Sequence, residues 1–163
     1  MLFTEYTDMG VLDPMSQRAI FALFIFGLGM KAALVPLHGW LPTAMAAPAP
    51  VSALLHAVAV VKAGVFCVVK ILVYVFGLGA LDGNTDWLVA VASFTIVAAS
   101  VVALRADNLK RRLAYSTVSQ LSYVVLATAL LAPLSVVGAV FHIAAHALGK
   151  ITLFFAAGSI YTA

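Results

Sequence analysis

Residues 30–66 read MKAALVPLHGWLPTAMAAPAPVSALLHAVAVVKAGVF. An apolar run carrying one lysine, Lys31, meets Pro36, Gly39 and Pro42 within PLHGWLP, too dense in breakers for a continuous helix. Pro48 and Pro50 follow, and Pro50 suits the first turn of a new helix, which then runs apolar to about Val75. A helix that stops and restarts amid apolar sequence is the mark of an interrupted membrane span.

The rest of the chain fits that reading. Of 163 residues, 64% are hydrophobic and 9% charged, and the mean hydropathy is +1.13. A soluble domain needs about 25% charged residues to dress its surface. Disordered, collagenous and disulfide-rich secreted classes are excluded by the same composition. The single cysteine, Cys67, forbids an internal disulfide and reads as a small packing residue. At about 20 residues per span, the length holds roughly five.

The predicted architecture is all-α, a polytopic membrane helix bundle forming a single membrane domain over residues 1–163. The first span covers about 19–35, followed by the broken segment 36–49. Further spans cover about 50–75, 87–104, 113–132 and 134–161. Residues 77–86, GLGALDGNTD, form a loop without basic residues, whereas Arg105 to Arg112, RADNLKRR, is strongly basic. Positive loops face the cytoplasm. That places the acidic N-terminus outside, the 77–86 loop outside and the C-terminus in the cytoplasm. No secretory leader is expected, because Met1 to Asp13 carries Glu5, Asp8 and Asp13 and no basic residue. The net charge of +3 is too thinly spread for a nucleic-acid footprint.

All six carboxylates fall outside the spans, yet several bases fall inside. Lys31, Lys62 and Lys150 lie in apolar sequence, and such residues normally face a bundle interior or water. Lys70, about a turn from a helix end, either shares that role or snorkels to the outer interface. His38 is in the broken segment and His56 in the second span. FHIAAHALGK places His142, His146 and Lys150 four residues apart, each step turning about 40°, so the three form one stripe. Groups that can each hold or pass a proton, striped along a span, suit a proton relay. Interhelical hydrogen bonding is an alternative for the same histidines. A metal site is a weaker one, since no third ligand completes it. In LAYSTVSQLSY, Ser116, Thr117, Ser119, Gln120, Ser122 and Tyr123 crowd the basic-loop half of the fourth span. They serve either helix packing or a water-lined half-channel. No Ser-His-carboxylate set or Gly-rich phosphate loop is present, so no catalytic, cofactor-binding or metal residues are assigned.

The opening stretch, together with DNLKRRLAYSTVSQLSY and FHIAAHALGKITLFFAAGSI, resembles the antiporter-like proton-pumping subunits of respiratory complex I, Mrp-type cation/proton antiporters and membrane-bound hydrogenases. The likeness runs from about Ile20 to Tyr161. It implies an inverted-repeat transporter fold of about fourteen helices, of which this chain matches the broken seventh and the eighth to eleventh. It also implies that Lys31 is the central proton-handling lysine, desolvated and poised to release its proton. His56 lies on the hydrophilic axis, and His142, His146 and Lys150 form the eleventh-helix stripe. The family's fifth-helix glutamate and twelfth-helix exit residue have no counterpart here. Thr43 stands where many members have aspartate, and Gly149 where a bulky residue is common.

The expected function is therefore a proton-conducting segment of such a subunit. Protons would pass through Lys31, His56, Lys62, His142, His146 and Lys150, with water bound at the backbone groups freed by the PLHGWLP break. Two other readings are a non-conducting scaffold of a redox complex and a piece of an Mrp-type Na+/H+ antiport subunit. The expected partners are other membrane subunits supplying the flanking helices, the lipid bilayer, and protons with or without sodium. The setting expected is a bacterial or archaeal inner membrane.

Overall fold

The computed structural model describes residues 13–57, 59–77 and 84–162. Glu5, Asp8, Asp82 and most of the expected outer loop lie outside the described residues. Helix α1 spans Pro14–Ala32. A short helix α2, Trp40–Thr43, runs into a 3-10 turn at Ala44–Ala46. Helix α3 is Ala49–Ala57, and α4 is Val60–Lys70, which winds on in π geometry over Ile71–Phe76. Three long helices complete the bundle: α5 Asp86–Arg105, α6 Leu109–Ala129 and α7 Pro133–Thr162. There is no strand among the described residues. The bundle is all-α, as the sequence predicts. Among the described residues, three segments are long and apolar enough to cross a membrane: Ala49–Phe76, Asp86–Arg105 and Pro133–Thr162.

The first break comes earlier than the prolines require. Helix α1 ends at Ala32 because Ala33 turns left-handed, at φ 58° and ψ 40°. The Ala33 N–H donates to Met30 O at 3.3 Å and the Leu34 N–H to Gly29 O at 3.0 Å, the paired bonds of a Schellman cap. Glycine is the usual residue there, so alanine hides the stop from a reading of the sequence. Groups freed by the break find protein partners. The Val35 N–H donates to Thr95 Oγ1 at 3.3 Å, and Trp40 Nε1 donates to the Met30 carbonyl at 2.7 Å. Water was the expected partner of the freed backbone; for these two groups, α5 and the indole take its place.

A second interruption has no sequence signal at all. Helix α3 stops at Ala57 and α4 begins at Val60. The Ala59 N–H reaches back five residues to Leu54 O at 2.9 Å. No proline or glycine occurs in HAVAVV, residues 56–61, and one continuous helix was the natural expectation. The interruption separates His56 from Lys62.

Helix α1 packs on α4, α5 along α6, and α7 against both α3 and α6. The α1 side of the core is aromatic: Phe21 meets Phe76 edge-on at 5.2 Å and Trp87 at 5.8 Å. Beside it, Gly64 lets the end of α1 touch the α4 backbone. A Cβ at Gly64 would lie 2.7 Å from Lys31 Cβ and 2.8 Å from Ala32 N. Nothing flexible is there to yield, because the neighbours are main chain and the first side-chain carbon. Gly64→Ala should therefore destabilise the protein by about 1–3 kcal/mol, the usual cost of overpacking. Gly27→Ala, with nothing within 4 Å of the added carbon, should be neutral or stabilising. Unfolding of the two variants in detergent would check the contrast.

Candidate functional site

Five of the six bases predicted from sequence come from three helices. His56 closes α3 and is fully buried; Lys62 sits on the first turn of α4 at 6% exposure; Lys150 lies on α7 at 3%. His142 and His146 are half-buried on α7, which is unbroken over this stretch, so the four-residue spacing does line them up. Their rings stack, 6.0 Å apart and 3° from parallel, and His142 meets the Tyr123 ring of α6 at 6.4 Å.

Tertiary packing joins these groups in two places. The Lys62 amine on α4 shares a hydrogen bond with His146 Nδ1 on α7, across 84 residues of chain. Both groups are bases, so this contact holds one proton: the lysine donates to a neutral imidazole, or an Nδ1–H donates to a neutral amine. A second proton would leave no lone pair between them. Lys150 instead turns to α6, donating to Leu113 O at 2.9 Å and to Ser116 Oγ at 3.0 Å. The Leu113 carbonyl is already the acceptor of the Thr117 hydroxyl at 2.9 Å.

His56 is held by packing alone. Its ring lies 5.4 Å from that of Phe154, and neither ring nitrogen has a hydrogen-bond partner among the described residues. His38, in the first break, is 6.0 Å from the Tyr115 ring, with Nδ1 buried and unpartnered in the same sense. Lys31 departs from expectation. The sequence reading has it desolvated, but its side chain is exposed. Its backbone lies against Gly64, where an added Cβ would meet Lys31 Cβ at 2.7 Å. Lys70 is also exposed, its ammonium 5.6 Å from the Phe66 ring centre. No group of three His, Cys, Asp or Glu side chains that could hold a metal occurs among the described residues.

Asymmetry between the partners of the Lys62–His146 contact is testable. Lys62→Met removes the buried amine and fills its space with apolar atoms, a near-neutral change. His146→Leu leaves that amine buried without its acceptor and should cost about 1–3 kcal/mol, more where the lysine stays charged. Detergent unfolding of the two variants should rank them in that order.

The fold and sequence have close counterparts among known proteins. The family described as "NADH:quinone oxidoreductase/Mrp antiporter, TM" matches residues 2–163. The chain is 39% identical over 158 residues to an NAD(P)H-quinone oxidoreductase subunit 5, chloroplastic, of Adiantum capillus-veneris, covering 97% of this chain and 21% of that protein. It is 43% identical over 142 residues to a probable K(+)/H(+) antiporter subunit of Rhizobium meliloti, covering 86% of this chain and 14% of the relative. Among solved structures, the Mrp complex from Dietzia sp. superposes with a TM-score of 0.79 at 37% identity, over 88% of this chain and 16% of the matched one. The membrane-bound sulfane sulfur reductase, an archaeal respiratory membrane complex, gives 0.82 at 38% identity, over 91% and 30%. The chain thus spans less than a third of the length of each of these proteins.

Proposed function

The chain belongs to the NADH:quinone oxidoreductase/Mrp antiporter transmembrane family, and on that premise we propose that it is the proton-relaying middle of a longer or composite antiporter-like subunit. The observation that carries this reading is the Lys62–His146 contact. It joins two helices through a single mobile proton, with His142 stacked beyond it and Lys150 one turn further along α7. A proton arriving at either nitrogen makes the pair doubly charged and breaks the contact. The displaced base is then free to hand its proton on, and the contact re-forms when one proton has left. Lysine suits this role because it can give up its proton in an apolar setting, which arginine does not do.

His56 extends the path on the α3 side, since both of its ring nitrogens are free of partners among the described residues. Lys31 has a different place in the scheme. Its side chain is exposed, so its proton is exchanged with groups that pack against it from outside this chain. The resemblance to proton-pumping subunits supplies a carboxylate-bearing helix for that side. Relatives that are subunits of larger membrane complexes support flanking membrane partners here as well. In this scheme the chain forms one membrane domain, with the basic loop cytoplasmic and the N-terminus outside, in a bacterial or archaeal inner membrane. Similarity to a protein described as a K(+)/H(+) antiporter subunit favours a second form of the reading, in which proton movement is exchanged for an alkali cation.

Substitutions separate the relay from mere packing. In the assembled complex reconstituted in vesicles, Lys31→Ala should lower proton transport at least tenfold with assembly retained, and Lys31→Arg should not restore it. His146→Gln keeps a hydrogen-bonding side chain but cannot titrate near neutrality, so transport should fall while folding survives. Normal transport by His142→Gln, His146→Gln and their double variant would overturn the relay through α7. The orientation has its own check. A single cysteine placed in 105–112 should react with an impermeant thiol reagent only from the cytoplasmic side, and one in 77–86 only from outside.

A further inference from the structure

Between the segment that follows the first break and the first turn of α6 lies a cavity of about 610 Å³. Pro42, Met45 and Ala46 give it an apolar side. Lys110 and Arg111 bring two positive charges to it, and Thr43, Asn108 and Tyr115 add polar groups. No carboxylate is among the lining residues.

What each cation has in place of a carboxylate is weak. Lys110 Nζ donates to Ala47 O at 3.4 Å and lies 5.5 Å from the Tyr161 ring centre. That hydrogen bond is longer than the ordinary distance of about 2.9 Å. The Arg111 guanidinium lies 5.8 Å from the Tyr115 ring centre, and its side-chain N–H groups bond no protein acceptor among the described residues. Arg112 makes the contrast. Its guanidinium is committed to Ala106 O, at 2.9 and 3.2 Å, and so helps close the loop. The charge of this loop is therefore divided: Arg112 is engaged, whereas Arg111 and Lys110 are left open to an anion. A guanidinium fork fits two oxygens of one phosphate, and an ammonium beside it adds a point charge.

Location narrows the choice of anion. Asn108 caps α6 just after the long α5 ends at Arg105, so the cavity lies where spans meet the headgroup layer. Basic residues at that level attract anionic lipid, and tyrosines favour the same level. A free anion would use the cations alone. A phospholipid would use both sides of the cavity, its phosphate on the cations and its glycerol and chains along Pro42, Met45 and Ala46.

We propose that this cavity binds the phosphate of an anionic phospholipid, held by Arg111 and Lys110 between the restarted helix and α6. A lipid seated there fastens α2 to α6 at the membrane surface. The proposal does not depend on the relay, because none of the relay residues lines the cavity.

Lipid retention tests the site without using transport. Native mass spectrometry of the full complex in neutral detergent is run with dioleoylphosphatidylglycerol and, for a headgroup without net charge, dioleoylphosphatidylcholine. Wild type should hold one more phosphatidylglycerol than Lys110→Gln/Arg111→Gln, in which affinity at this site falls about tenfold, and phosphatidylcholine should show no such difference. Thr43→Asp keeps both cations and gives the cavity a carboxylate of its own, so it should lose the same lipid. Thr43→Asn should keep it. Arg105→Gln removes a charge from the same loop but not from the cavity, and should bind within about twofold of wild type. Equal retention by wild type, the double variant and Thr43→Asp would overturn the site. Loss in Arg105→Gln as large as in the double variant would overturn it as well, because attraction would then belong to the whole loop. Displacement of the lipid by millimolar inorganic phosphate would overturn the lipid as the source and leave a site for free phosphate.

Discussion

A lysine can be buried between apolar helices only where another helix supplies it with lone pairs, and the bundle meets that demand twice. Lys62 finds the imidazole of His146, and Lys150 finds the Leu113 carbonyl and the Ser116 hydroxyl. Each contact crosses between helices, so these side chains also tie α7 to its neighbours. Burying an ammonium without such partners would cost several kcal/mol. The hydrogen bonds offset part of that penalty.

The two helix interruptions serve that arrangement. The first ends α1 immediately beyond Lys31, through a left-handed Ala33 and a cap that consumes the Gly29 and Met30 carbonyls. Thr95 and the Trp40 indole satisfy what the break exposes. The second falls between His56 and Lys62, so these two bases sit on separate helical segments, one beside Phe154 and the other against His146. Gly64 joins the two regions. Only a residue without a Cβ allows the end of α1 to rest on α4, and that contact sets where the Lys31 backbone stands relative to the helix carrying Lys62.

Helix α6 works through a division of labour among its polar residues. Hydroxyls that bond their own helix let it bury a flank against α5 and α7 without unsatisfied groups. The face presenting Ser116, Ser119 and Gln120 is left for other partners. On a helix without strong apolar periodicity, both kinds of residue look alike in sequence, because serine and threonine can turn inward to their own carbonyls or outward to a neighbour.

Composition alone determines that this is a membrane helix bundle, because a chain with 9% charged residues has too few to make a water-facing surface. The spacing of His142, His146 and Lys150 determines that they share a stripe, since helix geometry is local. The prolines around PLHGWLP likewise announce a break from local sterics. Which base meets which is not local. Lys62 and His146 are 84 residues apart, and only the packing of α4 on α7 decides that they share a proton. The exact stop at Ala33 and the interruption before Val60 also escape the sequence, since neither carries the glycine or proline that usually marks such a turn. Exposure of Lys31 is the same kind of fact: a lysine in apolar sequence must face something other than lipid, but only the surrounding helices decide whether that something is in this chain. Here the described residues leave its side chain exposed.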